Sequence, residues 1–328
     1  MDQRIMTLIE LISTFIFSFI VCFLITKKLI KKESSKNIGQ VIKDDIVKSH
    51  LKKAKTPTLG GIGIFVSTWL SVLIFGYDKL TDRNLICLLI ISFSFFVIGL
   101  IDDLIKIKSK NPKGLSGYIR LFLEIITVLL ILNYLGYEQH SLWKISLLNI
   151  KLLPLGFLFI PFVIFVVVGG ANSVNMSDGL DGLASGLVMM GMSPFLIISL
   201  VENELGIALF LMSLIGSLFA FLFFNFHPAK IFMGDAGSLP LGASLALSSF
   251  LLNKEILLLI SGGIFVFETI SVILQVISYK TRKKRIFLMA PFHHHLELKG
   301  LPEWKVVMIL YIVGFVLSII ATLIGVRL

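Results

Sequence analysis

Ten stretches of this sequence stay apolar for about the length a helix needs to cross a bilayer, roughly 20 residues. They run over 5–26, 59–76, 85–101, 119–136, 155–171, 183–201, 205–224, 238–252, 256–279 and 305–325. That pattern limits the fold more than any single motif does. Hydrophobic residues make up 56% of the chain and charged ones 15%, where a soluble domain would carry about 25% charge. The expected fold is all-α: a polytopic integral membrane protein of about ten transmembrane helices, read as a single domain over residues 1–328. Cys22 and Cys87 both fall inside apolar runs and read as small core residues, with neither a disulfide framework nor a metal knuckle. The first run is followed by Lys27-Lys28 instead of a small-residue cleavage site, so it reads as a retained span.

Ten spans put both termini on one side, and the basic residues choose which. The alternate loops 27–58, 102–120, 172–182, 225–237 and 280–305 hold 23 of the 30 Lys and Arg. By the positive-inside rule these loops are cytoplasmic and both termini are extracytoplasmic. The expected partner of so basic a membrane chain is the lipid bilayer, not nucleic acid. Every polar motif lies in the cytoplasmic set, and outer connections such as Glu202-Asn203-Glu204 are a few residues long. A transporter would spread polar groups along a path through the membrane. The cleft is therefore expected at the cytoplasmic face.

Between two apolar runs stands Gly169-Gly170-Ala171-Asn172-Ser173-Val174-Asn175-Met176-Ser177-Asp178-Gly179-Leu180-Asp181-Gly182. A helix starting near Ser177 would set Asp178 and Asp181 on one face, with Asn172 and Asn175 supplying amides beside them. Such oxygen-rich groups suit a hard cation such as Mg²⁺, or a sugar or base rich in hydroxyls and amides. The bland alternative is a capped helix start.

Four further blocks carry chemistry. Thr56-Pro57-Thr58-Leu59-Gly60-Gly61 pins a turn beside Lys53 and offers hydroxyls to a phosphate. Asp102-Asp103 ends an apolar helix, where an intramembrane acid is functional by default, with Lys106 and Lys110 following. Asn225 opens a loop that runs to Phe232-Met233-Gly234-Asp235, where glycine lets backbone approach a ligand and Phe232 could stack on a base. Met289-Ala290-Pro291-Phe292 leads into His293, His294 and His295, which could donate to phosphate oxygens from a loop but cannot all face one ion.

Together these blocks resemble the bacterial phospho-N-acetylmuramoyl-pentapeptide-transferases, within the polyprenyl-phosphate N-acetylhexosamine-1-phosphate transferase superfamily. The resemblance spans nearly the whole chain, and the Met-Ala-Pro-x-His-His-His block is its most specific part. It implies a magnesium-dependent homodimer in the bacterial cytoplasmic (inner) membrane. The implied reaction moves phospho-MurNAc-pentapeptide from UDP-MurNAc-pentapeptide to undecaprenyl phosphate and releases UMP, in peptidoglycan synthesis. By motif, Asp235 matches a metal ligand, and Asp102 and Asp103 match carboxylates that bind metal or deprotonate the lipid phosphate. Asn175, Asp178, Phe232, Lys53 and Thr58 match uridine- and sugar-side positions. Lys106 and Lys110 resemble further phosphate contacts, and His293 an active-site histidine. Asn172, Asp181, Asn225, His294 and His295 are counted with the substrate-side groups. Lys55, Ala171 and Ser177 depart from the family pattern, and Arg120 aligns too loosely to take a role.

A direct displacement with Asp102 as base is the expected route, and the helix carrying Glu268 and Gln275 is expected to bend around a groove for the lipid tail. Two rivals stay open: a sister transferase using UDP-GlcNAc or a related UDP-sugar, and a proton-coupled transporter or lipid flippase.

Overall fold

In the computed structural model, the described residues are 3–35, 56–109, 114–136, 144–147, 150–154 and 158–327; Lys53 and Lys110 lie outside them. Twelve α-helices follow among these: α1 (Gln3–Ser35), α2 (Gly61–Phe75), α3 (Arg83–Ser109), α4 (Gly117–Leu135), α5 (Phe159–Ser177), α6 (Leu183–Val201), α7 (Leu205–Asn225), α8 (Asp235–Leu251), α9 (Glu255–Ser261), α10 (Gly263–Arg282), α11 (Phe292–Leu298) and α12 (Glu303–Arg327). Eight of them (α1, α3–α7, α10 and α12) are long and apolar enough to cross a membrane. The remaining two expected spans are α2, with 15 residues, and α8, with 17.

Helix α8 falls short on hydropathy because it is built from Gly, Ala and Ser, and the same residues place it at the centre. Every residue from Ala236 to Phe250 is buried, against α3, α5, α2 and α6. In lipid, helices associate through close contact of small residues and hydrogen bonds between helices. The second device joins α2 to α7, where Ser217 Oγ lies 2.8 Å from Ser67 Oγ and 3.1 Å from Thr68 Oγ1. Lipid-facing helices such as α1 and α12 keep their large apolar side chains outward, among them Ile16, Ile20, Ile312 and Phe315.

Four local features differ from the reading of the sequence. A short antiparallel hairpin, β1 (Lys144–Leu147) with β2 (Ile150–Pro154), precedes α5. In β1 the residues Lys-Ile-Ser-Leu alternate polar and apolar with the period of a strand. Helix α5 ends at Ser177, where a helix start was expected. Two of its polar side chains also bond back along the helix, Asn172 Nδ2 to the Val168 carbonyl (2.9 Å) and Ser177 Oγ to the Ser173 carbonyl (2.9 Å). Asp178 and Asp181 thus sit in the turn between α5 and α6 and do not share a helical face. The expected helix over 256–279 is broken at Gly262 into α9 and α10, since paired glycines are weak helix formers. The three histidines lie on the short helix α11, not in a loop.

Candidate active site

Two helix ends meet to form the acidic centre. Helix α3 continues past the apolar window and carries Asp102 and Asp103 on its buried side, 1% and 4% exposed. Opposite them α8 begins. Asp103 Oδ1 accepts the Asp235 amide at 3.2 Å and Oδ2 accepts the Ala236 amide at 2.9 Å. These are among the first N–H groups of a helix, which have no intrahelical acceptor and favour a negative charge. Asp102 Oδ1 accepts the Leu115 amide at 2.6 Å. Lys106 Nζ lies 2.5 Å from Asp102 Oδ2, 3.0 Å from Asp235 Oδ2 and 4.0 Å from Asp103 Oδ1. One lysine therefore faces all three carboxylates.

The backbone that presents Asp235 is locked by the Thr-Pro-Thr-Leu-Gly-Gly segment. The Phe232 amide donates to the Pro57 carbonyl (2.7 Å), the Gly60 amide to the Phe232 carbonyl (2.9 Å) and the Gly61 amide to the Met233 carbonyl (2.9 Å). Two motifs about 170 residues apart in sequence are thus paired like strands. Gly234 has φ +71°, and a side chain there would run into Asp103 and the Thr58 carbonyl. Only glycine meets both demands. Thr58 is buried and Phe232 half-buried. Asn225 is 2% exposed; its Nδ2 donates to the Ile231 carbonyl (2.9 Å) and its Oδ1 accepts from Ser185 Oγ (3.0 Å). That amide shapes the loop leading to Phe232.

A cationic arm that the sequence left without a role reaches the same centre. Arg120, in the first turn of α4, places Nη1 3.3 Å from Asp235 Oδ2 and donates from Nη2 to Asn172 Oδ1 at 3.1 Å. Glu124, one turn on, holds both: its Oε1 is 3.7 Å from Arg120 Nε and its Oε2 accepts from Asn172 Nδ2 at 3.0 Å. The readable signal was an Arg and a Glu at i, i+4 inside an apolar run, where ionisable groups are costly without partners.

The end of α5 and the turn after it bring in the other predicted residues. Asn175 Oδ1 accepts from Ser238 Oγ (3.0 Å), one turn into α8 from Asp235. Asp178 is half-buried in the turn. Asp181 is engaged elsewhere, as its Oδ2 lies 3.0 Å from His227 Nδ1 and accepts the Ala229 amide at 3.0 Å. Its own amide donates to Glu303 Oε1 (2.7 Å). Neither His227 nor Glu303 stood out in the sequence, because their partners are remote along the chain.

Of the three histidines, His293 is wholly buried and His294 nearly so, and both adjoin Gly179 of the turn. His295 is set differently. Its Nδ1 accepts the Leu288 amide (3.1 Å) and its ring packs on Phe287 and Phe292. The structure thus gathers Asp102, Asp103, Lys106 and Asp235, brings Asn172 to them through Arg120 and Asn175 through Ser238, and sets Asp181 and His295 in neighbouring contacts.

Among the described residues, two groups could hold a metal ion, with ligand atoms within 4.8 Å of one another: Asp102–Asp103–Asp235 and Asp181–His227–Glu303. The first offers only carboxylate oxygen, the donor set of a hard divalent cation. Three acids there face Lys106 and Arg120. Such a site suits a multiply charged anion bound together with a cation.

The pattern of Glycosyl transferase family 4 matches residues 85–253, which include the acid pair, the α5–α6 turn and Asp235. Phospho-N-acetylmuramoyl-pentapeptide-transferases of Bacillus mycoides (strain KBAB4) and Bacillus thuringiensis (strain Al Hakam) are each 43% identical over 291 residues, covering 88% of this chain and 89% of theirs. That of Bacillus cereus (strain AH187) matches to the same extent. Identity at that level over nearly all of both chains leads to one conclusion: the chain belongs to the family of phospho-N-acetylmuramoyl-pentapeptide-transferases.

Proposed function

We propose that this protein transfers phospho-MurNAc-pentapeptide from UDP-MurNAc-pentapeptide to undecaprenyl phosphate, forming the first lipid-linked peptidoglycan precursor and releasing UMP. The observation that carries this reading is the cluster of Asp102, Asp103 and Asp235 with Lys106 and Arg120 at the start of α8. Attack of one phosphate on a diphosphate brings anions together, so a site must screen charge before bonds change.

In this reading Asp102, supported by the Leu115 amide and Lys106, takes the proton from the lipid phosphate. The freed oxygen attacks the phosphorus attached to the sugar. A new P–O bond forms as the bond to the bridging oxygen breaks, and that oxygen leaves with UMP. Lys106 and Arg120 offset the charge that develops, and Asp103 keeps α8 and Asp235 in place. A magnesium ion held by Asp235 with Asp102 and Asp103 would screen the diphosphate and stabilise the leaving UMP. Phe232 stacks on the uracil, Thr58, Asn175 and Asp178 line the nucleotide and sugar side, and His293 and His294 donate to phosphate oxygen. Lys53 and Lys110 remain nucleotide and phosphate contacts by resemblance alone.

The setting follows from the same reading. The chain is one catalytic unit, a homodimer in the bacterial inner membrane with the cleft facing the cytoplasm. The lipid tail stays in the bilayer beside α10, whose exposed Phe267, Ile270, Ile273 and Leu274 suit it.

The test is UMP release in detergent with both substrates, with and without Mg²⁺, on wild type and Asp235→Ala. Magnesium-dependent release that vanishes in a folded Asp235→Ala supports the reading. Release with UDP-GlcNAc alone would keep the chemistry and change the donor. No release with either donor from folded wild type would return a transporter to first place.

A further inference from the structure

Asp181, His227 and Glu303 come together from three separate elements: the turn between α5 and α6, the loop that follows α7, and the first residue of α12. The side chains of the two acids are 3% and 8% exposed, and that of His227 is 37% exposed. Two carboxylates are thus sunk behind one imidazole that reaches water.

Both acids converge on a single ring atom. His227 Nδ1 lies 3.0 Å from Asp181 Oδ2 and 3.6 Å from Glu303 Oε2. A ring nitrogen carries one hydrogen at most, which can serve Asp181, while 3.6 Å is too long for a hydrogen bond to Glu303. Two carboxylate oxygens on one nitrogen exceed what an ordinary Asp–His pair needs. They do match a metal ion. Bonds of about 2.0–2.2 Å to the ion set neighbouring donor atoms roughly 2.8–3.6 Å apart, the exact spacing depending on whether six or four donors surround it.

Each carboxylate is also steadied from behind. Asp181 Oδ2 accepts the Ala229 amide at 3.0 Å. Glu303 Oε1 accepts the Asp181 amide at 2.7 Å, which leaves Oε2 on the side of the ring. Carboxylates that ligate metals are usually fixed by hydrogen bonds of this kind. Helix α12 grips the turn a second time through Tyr311, whose hydroxyl donates to the Gly182 carbonyl.

We propose that Asp181 Oδ2, His227 Nδ1 and Glu303 Oε2 form a second metal site, apart from the Asp102–Asp103–Asp235 cluster, for a borderline divalent cation such as Zn²⁺. The imidazole nitrogen disfavours Mg²⁺ and Ca²⁺, the carboxylates disfavour soft ions, and Zn²⁺ binds such donors more tightly than Mn²⁺ does. Two carboxylates and a neutral imidazole around a divalent cation sum to zero charge, which a buried site tolerates best. Water entering beside the exposed His227 completes the coordination. The ion ties the turn that carries Asp178, the loop that leads to Phe232 and the start of α12 into one unit. No step of the transfer passes through it, so the site stands or falls independently of the transferase reading.

The test reads binding and needs no turnover. Untagged full-length protein in detergent is cleared of metal with a chelator and given Zn²⁺ under excess Mg²⁺, which competes for the all-carboxylate cluster. Wild type should retain one equivalent of zinc through desalting, and its unfolding temperature should rise. His227→Ala should weaken zinc binding by more than the about 10–100-fold that loss of a supporting hydrogen bond costs, and its unfolding temperature should not respond. Zinc retained equally by His227→Ala overturns the proposal. So does wild type that retains none, His227 then being a hydrogen-bond partner of Asp181 and nothing more.

X-ray absorption at the zinc edge of the wild type decides should His227→Ala fail to fold. One imidazole among oxygen donors is expected. Two or more imidazoles would put the ion on the histidines of 293–295 and overturn the assignment.

Discussion

Asp103 caps the helix that carries Asp235: the two oxygens of one carboxylate accept the Asp235 and Ala236 amides at 3.2 and 2.9 Å. The adjacent acids of α3 thus differ in kind, because Asp102 accepts a loop amide and faces Lys106. Asp103→Ala leaves two helix-end amides without an acceptor, at a cost of about 1–3 kcal/mol for each buried group orphaned. It should lower the unfolding temperature in detergent as well as abolish transfer. Asp102→Asn should abolish transfer with little change in unfolding temperature. Equal thermal effects of the two variants would contradict this division of labour.

Arg120 and Glu124 support a second prediction. Removing one member of a buried ion pair strands the other, commonly at about 3–5 kcal/mol, whereas removing both charges is far cheaper. Arg120→Met should therefore destabilise the fold sharply, since Glu124 is 1% exposed and would keep only Asn172. Arg120→Met combined with Glu124→Gln should regain most of that stability and stay inactive, because no guanidinium then reaches Asp235. Thermal scans of the two variants beside wild type check it, and a double variant no more stable than Arg120→Met would refute it.

These two cases mark what the sequence could tell. The spans were legible because a bilayer demands roughly 20 apolar residues of each, and Asp102, Asp103 and Asp235 stood out because acids are rare in such runs. Arg120 and Glu124 sit one turn apart in the apolar run of α4, where the pairing rule applies, yet nothing local says that they brace Asn172 and Asp235. The end of α5 was misread because Ser-Asp-Gly serves a helix stop as well as a start. His227 and Glu303 meet Asp181 only through the packing of remote segments, for which the sequence holds no spacing rule.

Lys106 sits where a divalent cation would, within 4.0 Å of all three carboxylates. A fixed ammonium and a metal ion compete for the same oxygens, at separations where charge repulsion is worth several kcal/mol even when partly screened. Lys106→Met should lower the Mg²⁺ concentration that half-saturates the site, read by isothermal titration without substrate. It should also lower kcat, since in the proposed reaction that charge faces the substrate phosphate. A higher half-saturating concentration would show that the lysine assists the metal.

Asn225 is the residue whose role shifted most between sequence and structure. It is 2% exposed, and its amide ties Ile231, the residue before Phe232, to Ser185 on α6. In the proposed reaction it would act on the nucleotide by fixing where the Phe232 ring lies. Asn225→Ala should raise KM for the UDP donor about as much as Phe232→Ala does and leave KM for the lipid phosphate alone. Loss of a ring–base stack is worth about 1–3 kcal/mol, or roughly tenfold or more in affinity. The double variant should be no worse than Phe232→Ala, because a misplaced ring and an absent ring forfeit the same contact. If the two losses multiply instead, Asn225 touches the nucleotide on its own account, and the buried hydrogen bonds of this loop must open when the donor binds.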